Sequence, residues 1–172
     1  MGSSEPSEIV AWFRARLPQD WFNGEPSVRV DREEILVVGP LRVPGGDGGD
    51  GGAIERRHCI AAFREETRDH RMAIAAEAEA VWGRKVSWGV CCGEHDEHFT
   101  TLSTPVMTRL RMDEREVLDT LIEAGVARSR SEALAWCVRL VGHHEADWIA
   151  RLREAVVAVH EARASGPLQP GD

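Results

Sequence analysis

Residues 104–142, TPVMTRLRMDEREVLDTLIEAGVARSRSEALAWCVRLVG, decide the reading of this chain. The alternation at the start is that of a strand. Val106, Thr108, Leu110 and Met112 fall on one face, and Met107, Arg109 and Arg111 on the other. One face is expected to be buried while the other presents two guanidinium groups. Asp113, with Glu116 three positions on, is expected to cap a first helix. Val117, Leu118, Leu121, Ile122 and Val126 then recur at helical spacing, and Gly125 helps end the helix. Ser129 with Glu132 forms a serine capping box for a second helix. Ala133, Leu134, Cys137, Val138, Leu140 and Val141 give that helix a broad apolar face. A strand and two helices of this length cannot bury a core alone, so a second copy is expected to complete it.

The strings TRLRM, REVLDTLIEAG and RSRSEAL carry a resemblance. In that order they resemble the ribbon-helix-helix superfamily, the Arc/MetJ/CopG type of DNA-binding protein. The serine-capped RSRSEAL turn after an amphipathic helix is the more specific signal; the strand alone is not. The resemblance implies an intertwined homodimer whose two strands pair into an antiparallel ribbon. That ribbon would enter the major groove of double-stranded DNA and read base edges. Carried over by position, the base-reading residues are Met107, Arg109 and Arg111. Arginine suits the task because its fork reaches two guanine acceptors at once. The start of the second helix would hold phosphate through backbone N–H groups around Arg130 and Ser131, with Ser129 as cap. The competing reading is an ordinary amphipathic strand-helix-helix with exposed arginines.

The chain has 172 residues and a net charge of −8, which excludes bulk, charge-driven affinity for nucleic acid. Residues 1–101 hold 12 basic and 18 acidic groups, and residues 102–172 hold 9 and 11. A DNA reader of this composition must turn its acidic part away from the phosphates. Lys85 is the only lysine among 21 basic residues, a bias that points to a GC-rich bacterial genome. Met1–Ser7 is polar, and the apolar run Ile9–Phe13 is short, so a signal peptide is not expected. No run approaches a membrane span of roughly 18 apolar residues. A cytoplasmic protein is expected, and four cysteines in a chain this long are not a disulfide framework.

Residues 1–104 are expected to form a separate small α+β domain of helix, two strands, long helix and two strands. The first helix, in residues 7–22, has Ser7 as cap, a stripe of Ile9, Trp12, Phe13 and Leu17, and a stop at Pro18. Trp21 and Phe22 follow, either docked on the core or offered to a protein partner. Residues 27–43 read as two strands around a turn near Asp31–Glu33, and the apolar ILVV run should be central. The Gly-rich run 45–52 reads as a loop and lacks the ending of a phosphate loop. No Pro or Gly interrupts residues 54–82, which read as one helix with Ile60, Phe63, Thr67, Ile74 and Val81 on a stripe and Ala78 beside it. Residues 85–92 and 98–103 are expected to be strands.

Cys91, Cys92, His95 and His98 lie within eight residues of one another. Thiolate and imidazole are the ligands zinc and its neighbours prefer, so these four form a candidate metal site, although no cofactor is required. Adjacent cysteines on a strand point to opposite faces, so one of them would join both histidines. The competing reading is a buried strand cysteine beside a polar turn. Residues 105–142 form the ribbon-helix-helix region, and residues 143–172 hold a last helix with Trp148, Ile149, Leu152, Val156 and Val159 as its stripe. His143 and His144 read as a solvated junction. No nucleophile elbow, HExxH or phosphate loop is present, so catalysis is not expected. Two functions from different classes remain. One is a dimeric transcription regulator with the first domain as sensor or added interface. The other is an antitoxin-like or scaffolding interaction module in which the ribbon-helix-helix part only dimerises.

Overall fold

The alternation in residues 27–43 becomes an antiparallel hairpin, β1 (Ser27–Val30) and β2 (Glu34–Pro40). Asp31 builds its turn: the carboxylate accepts the backbone N–H groups of Glu33 at 2.9 Å and Glu34 at 2.7 Å. The computed structural model describes residues 5–43 and 52–165. Most of the Gly-rich run expected as a loop lies outside the described residues. By contacts the chain divides into two units, Met1–Pro105 and Val106–Asp172. The described residues form six helices and one four-stranded sheet, a mixed α+β protein. No helix among them is long and apolar enough to cross a membrane.

In the first unit β2 pairs parallel with β3 (Lys85–Cys92), which pairs antiparallel with β4 (His95–His98). The order β1-β2-β3-β4 makes β2 central, as its β-branched sequence predicts. A parallel pair needs a crossover. Here it is α2 (Gly52–Glu66) and α3 (Arg68–Trp82), joined on the same face of the sheet by α1 (Glu5–Arg16). Ile9 and Phe13 of α1, Ile60 of α2 and Ile74 and Ala78 of α3 are buried against Ile35, Val37, Val86, Trp88 and Val90. Burying a side chain such as Phe13 completely is worth roughly 1.5–3 kcal/mol. Arg84 is also buried, and its guanidinium meets the Glu5 carboxylate twice, at 3.1 and 3.2 Å. That pair satisfies a charge which would otherwise be costly to bury.

Four expectations for this unit are corrected. The helix expected over residues 54–82 breaks at Thr67 into α2 and α3, without Pro or Gly. The Thr67 hydroxyl donates to the Phe63 carbonyl at 2.6 Å, and Arg71 Nη2 fills the Arg64 carbonyl at 2.6 Å. The Phe63 carbonyl keeps its bond from the Thr67 N–H as well, so it is the Arg64 carbonyl that a side chain fills at the break. The apolar stripe holds to Ile74 and Ala78, but Val81 is exposed. The last strand is His95–His98 rather than 98–103, because Gly93 takes φ 62° in a two-residue turn that sets Cys92 opposite His95. The first helix contains Ser7 instead of being capped by it; Pro6 in its first turn suits the fixed φ of proline.

Gly39 makes the core sensitive at one point. A Cβ there would overlap the ring of Phe22, which itself packs against Trp21 and Phe63. Gly39→Ala is therefore expected to destabilise the first unit by about 1–3 kcal/mol through overpacking. Urea denaturation should show a lower midpoint with an unchanged slope.

Candidate nucleic-acid interface

The second unit contains α4 (Met112–Glu123), α5 (Arg130–His144) and α6 (Ala146–Ser165). α4 starts one residue before the expected cap. Arg111 is the N-cap, extended at φ −78° and ψ 175°, and Asp113 sits inside the first turn. Glu114 rather than Glu116 closes the box, because it lies three positions after Arg111. Its carboxylate accepts the Arg111 backbone N–H at 2.6 Å. Gly125, at φ 74°, turns the chain out of α4.

Residues 106–111 form no strand within this single chain. Among the described residues no other segment lies alongside to pair with them. Of the face expected to be buried, only Leu110 reaches the helices; Val106 and Met112 are exposed. On the other face Met107 is 98% exposed, and Arg109 and Arg111 are exposed too. Arg115 tethers the end of this segment, donating to the Leu110 carbonyl at 2.7 Å.

The turn into α5 is firmly built. Ser129 is extended at φ −155° and ψ 161°, and its hydroxyl accepts the Glu132 backbone N–H at 3.2 Å. Glu132 reaches back past the cap to the Arg128 backbone N–H at 2.9 Å and also meets the Arg128 guanidinium at 3.2 Å. These contacts hold the Glu132 carboxyl below its ordinary range. The Arg130 side chain has a structural partner. Its guanidinium forms a bidentate pair with Asp119 of α4, at 2.7 and 2.6 Å, and lowers the Asp119 pKa by that hydrogen bond. The side chain clamps α4 to α5, and the backbone N–H groups at Arg130 and Ser131 are among those that helix geometry leaves without an acceptor. Ser131 is exposed beside them.

Little apolar surface is covered in this unit. Leu118, Ala127 and Ala133 are buried, with Leu110, Leu121, Ile122, Leu134 and Cys137 half-buried around them. Val117, Val138, Val141, Trp148, Leu152, Val156 and Val159 are exposed. Of the stripe expected on the last helix, Ile149 alone is half-buried.

The cysteine–histidine set of the first unit is divided by the sheet. Cys92 lies in the core, its thiol donating to the Arg42 carbonyl at 3.8 Å, while Cys91 pairs in register with Asp96 on the opposite face. His98 lies opposite Gly89 on the face of Cys91, and His95 opposite Cys92. Burial pushes both thiols up in pKa, away from the thiolate a metal needs. Among the described residues no three His, Cys, Asp or Glu side chains are grouped to hold a metal ion.

Residues 7–98 match the family described as Rv1265-like protein, N-terminal domain, and residues 111–163 match the Mb1296 C-terminal domain. The uncharacterized proteins Mb1296 of Mycobacterium bovis and Rv1265 of Mycobacterium tuberculosis are each 53% identical over 167 residues. The match covers 96% of this chain and 73% of theirs. The chain belongs to the Rv1265-like family. No solved structure matches it. Sequence reasoning about this Rv1265-like chain missed the Asp119–Arg130 clamp. Its only trace in the sequence is an acid on the polar face of α4 and a base just after the Ser129 cap.

Proposed function

We propose that this Rv1265-like protein is a dimeric, sequence-specific DNA-binding transcription regulator of the cytoplasm. Two copies of residues 106–111 pair into a ribbon, and Met107, Arg109 and Arg111 read bases in the major groove. The backbone at Ser129, Arg130 and Ser131 holds flanking phosphates, while the first unit serves as sensor or added interface. The observation that carries this reading is the segment 106–111. It is exposed, ends in extended backbone, carries two free-standing arginine side chains, and leads into a helix pair with an incomplete core. A helix pair so poorly filled calls for a second copy, and a second copy supplies the missing strand partner.

The acidic balance of the chain favours a second reading, in which the helical unit only dimerises and the first unit binds a protein. Salt separates the two. Phosphate contacts make DNA affinity fall steeply as salt rises, and a largely apolar protein interface responds weakly. The test is selection of bound fragments from random DNA at moderate salt by the full chain, with its dimeric mass checked by light scattering. Enrichment of a roughly palindromic motif is expected. Folded, dimeric protein that enriches no sequence would overturn the DNA reading.

A further inference from the structure

In the first unit a half-open cavity of about 450 Å³ lies where α2 meets α3, over Trp88 and Phe99. Its volume is that of a small-molecule site. Arg64, Arg68 and Arg71 converge on it, in a part of the chain whose overall balance is acidic.

Arg71 is the central group. It is 6% exposed, donates through Nε to the Thr67 hydroxyl at 2.9 Å and through Nη2 to the Arg64 carbonyl at 2.6 Å, and lies 4.7 Å above the Phe99 ring centre. Among the described residues no carboxylate forms an ion pair with it. Arg84, equally buried, has the Glu5 carboxylate on two of its nitrogens. The same domain therefore pairs one buried guanidinium directly with a carboxylate and leaves the other with only the unbonded charge of Glu65, which also lines the cavity. Arg64 stands 5.6 Å over the same Phe99 ring and has a 3.4 Å contact with Glu97; Arg68 makes no ion pair among the described residues. Of the two glutamates lining the cavity, Glu79 is held by Lys85 at 2.6 Å. Burial, then the charges of Arg64 and Arg68, lowers the Arg71 pKa against the opposing charge of Glu65. The opposite wall is apolar, with Met72, Ala75, Val86 and Trp88.

We infer that this cavity binds a small organic phosphate monoester, its phosphate against Arg64, Arg68 and Arg71 and its apolar body against Met72, Ala75 and Trp88. A carboxylate has two oxygens and is filled by one guanidinium fork. A phosphate monoester presents three terminal oxygens and up to two charges, which suits three guanidinium groups lining one cavity, Arg71 offering the N–H groups that its bonds to Thr67 and the Arg64 carbonyl leave over. The inference does not rest on the DNA-binding reading.

Calorimetric titration of the full chain, without DNA, tests it with phenyl phosphate and naphthyl phosphate as probes and inorganic phosphate and phenylacetate as controls. Saturable one-site binding of an aryl phosphate is expected, tighter than either control. Arg68→Gln, at a side chain with no ion pair to lose, should weaken it about tenfold, the loss of one charge-assisted contact. Arg71→Gln should abolish it; because Arg71 also braces the α2–α3 break, circular dichroism of that variant is read first, and Arg64→Gln/Arg68→Gln replaces it if the fold suffers. Folded wild-type chain that binds neither aryl phosphate, or binding unchanged in Arg64→Gln/Arg68→Gln, would overturn the inference.

Discussion

The Arg109→Ala, Arg111→Ala chain is expected to lose its selected DNA sequence at least about a hundredfold in affinity while keeping the dimeric mass of the wild type. A bidentate arginine–guanine contact discriminates by about 1–3 kcal/mol, and a dimer would lose four such side chains. The fold should not notice. Both side chains are exposed, and the bonds made at Arg111, from its N–H to Glu114 and to its carbonyl from Arg115, are backbone bonds that alanine retains. Arg109→Lys, Arg111→Lys separates charge from reading. Lysine keeps the positive charge but not the planar fork, so it should retain salt-sensitive, sequence-indifferent binding and lose the motif. Fluorescence anisotropy with the selected fragment and a scrambled one measures both effects. Equal affinity of wild type and alanine variant for the selected fragment would remove these arginines from the interface.

How far the sequence reveals such a site depends on where each signal is written. The turn into α5 is written locally. Ser129 and Glu132 sit three residues apart, and a cap needs only its own neighbours. The first strands are equally legible, since Ile35 and Val37 alternate with half-buried neighbours and Asp31 marks the turn. The break at Thr67 is not legible. Nothing in residues 54–82 forbids a continuous helix; the break goes with Arg71 filling the Arg64 carbonyl from seven residues away, a contest between nearly equal hydrogen-bonding schemes. The arginine cavity is invisible for a related reason. Arg64, Arg68 and Arg71 read as a solvated charged face until tertiary packing sets Phe99, from the far end of the unit, beneath them. At Cys91–His98 the sequence shows the pleat of β3 parting the two cysteines, but not the register that also places His95 with Cys92 and His98 on the face of Cys91.

The alternation at 106–111 forms no strand within one chain, and if a second copy supplies the partner, as proposed, the strongest effect of any substitution falls on the surface between copies. Val138→Glu, Val141→Glu should abolish dimerisation and, with it, the folded state of the second unit. Both valines lie on the face of α5 that the chain itself leaves exposed, at 66% and 50%. Val141 lies one helical turn beyond Cys137 of the small core, and Val138 beside it, so a second copy would bury both. A carboxylate forced into that surface without a partner costs on the order of several kcal/mol, twice per protomer and four times per dimer. Total stabilities of only about 5–15 kcal/mol cannot absorb that. Three buried side chains do not hold three helices together, so loss of the partner should appear as loss of helix. Light scattering should report a monomer, and far-ultraviolet dichroism should fall. Trp12, Trp82 and Trp88, packed in the first unit, should keep their native fluorescence. The wild type should show the same coupling by dilution, with a second-unit melting temperature that falls as protein concentration falls. A variant that stays helical as a monomer would mean that the helix pair is self-sufficient, and the ribbon would then lose the second strand on which its reading of DNA depends.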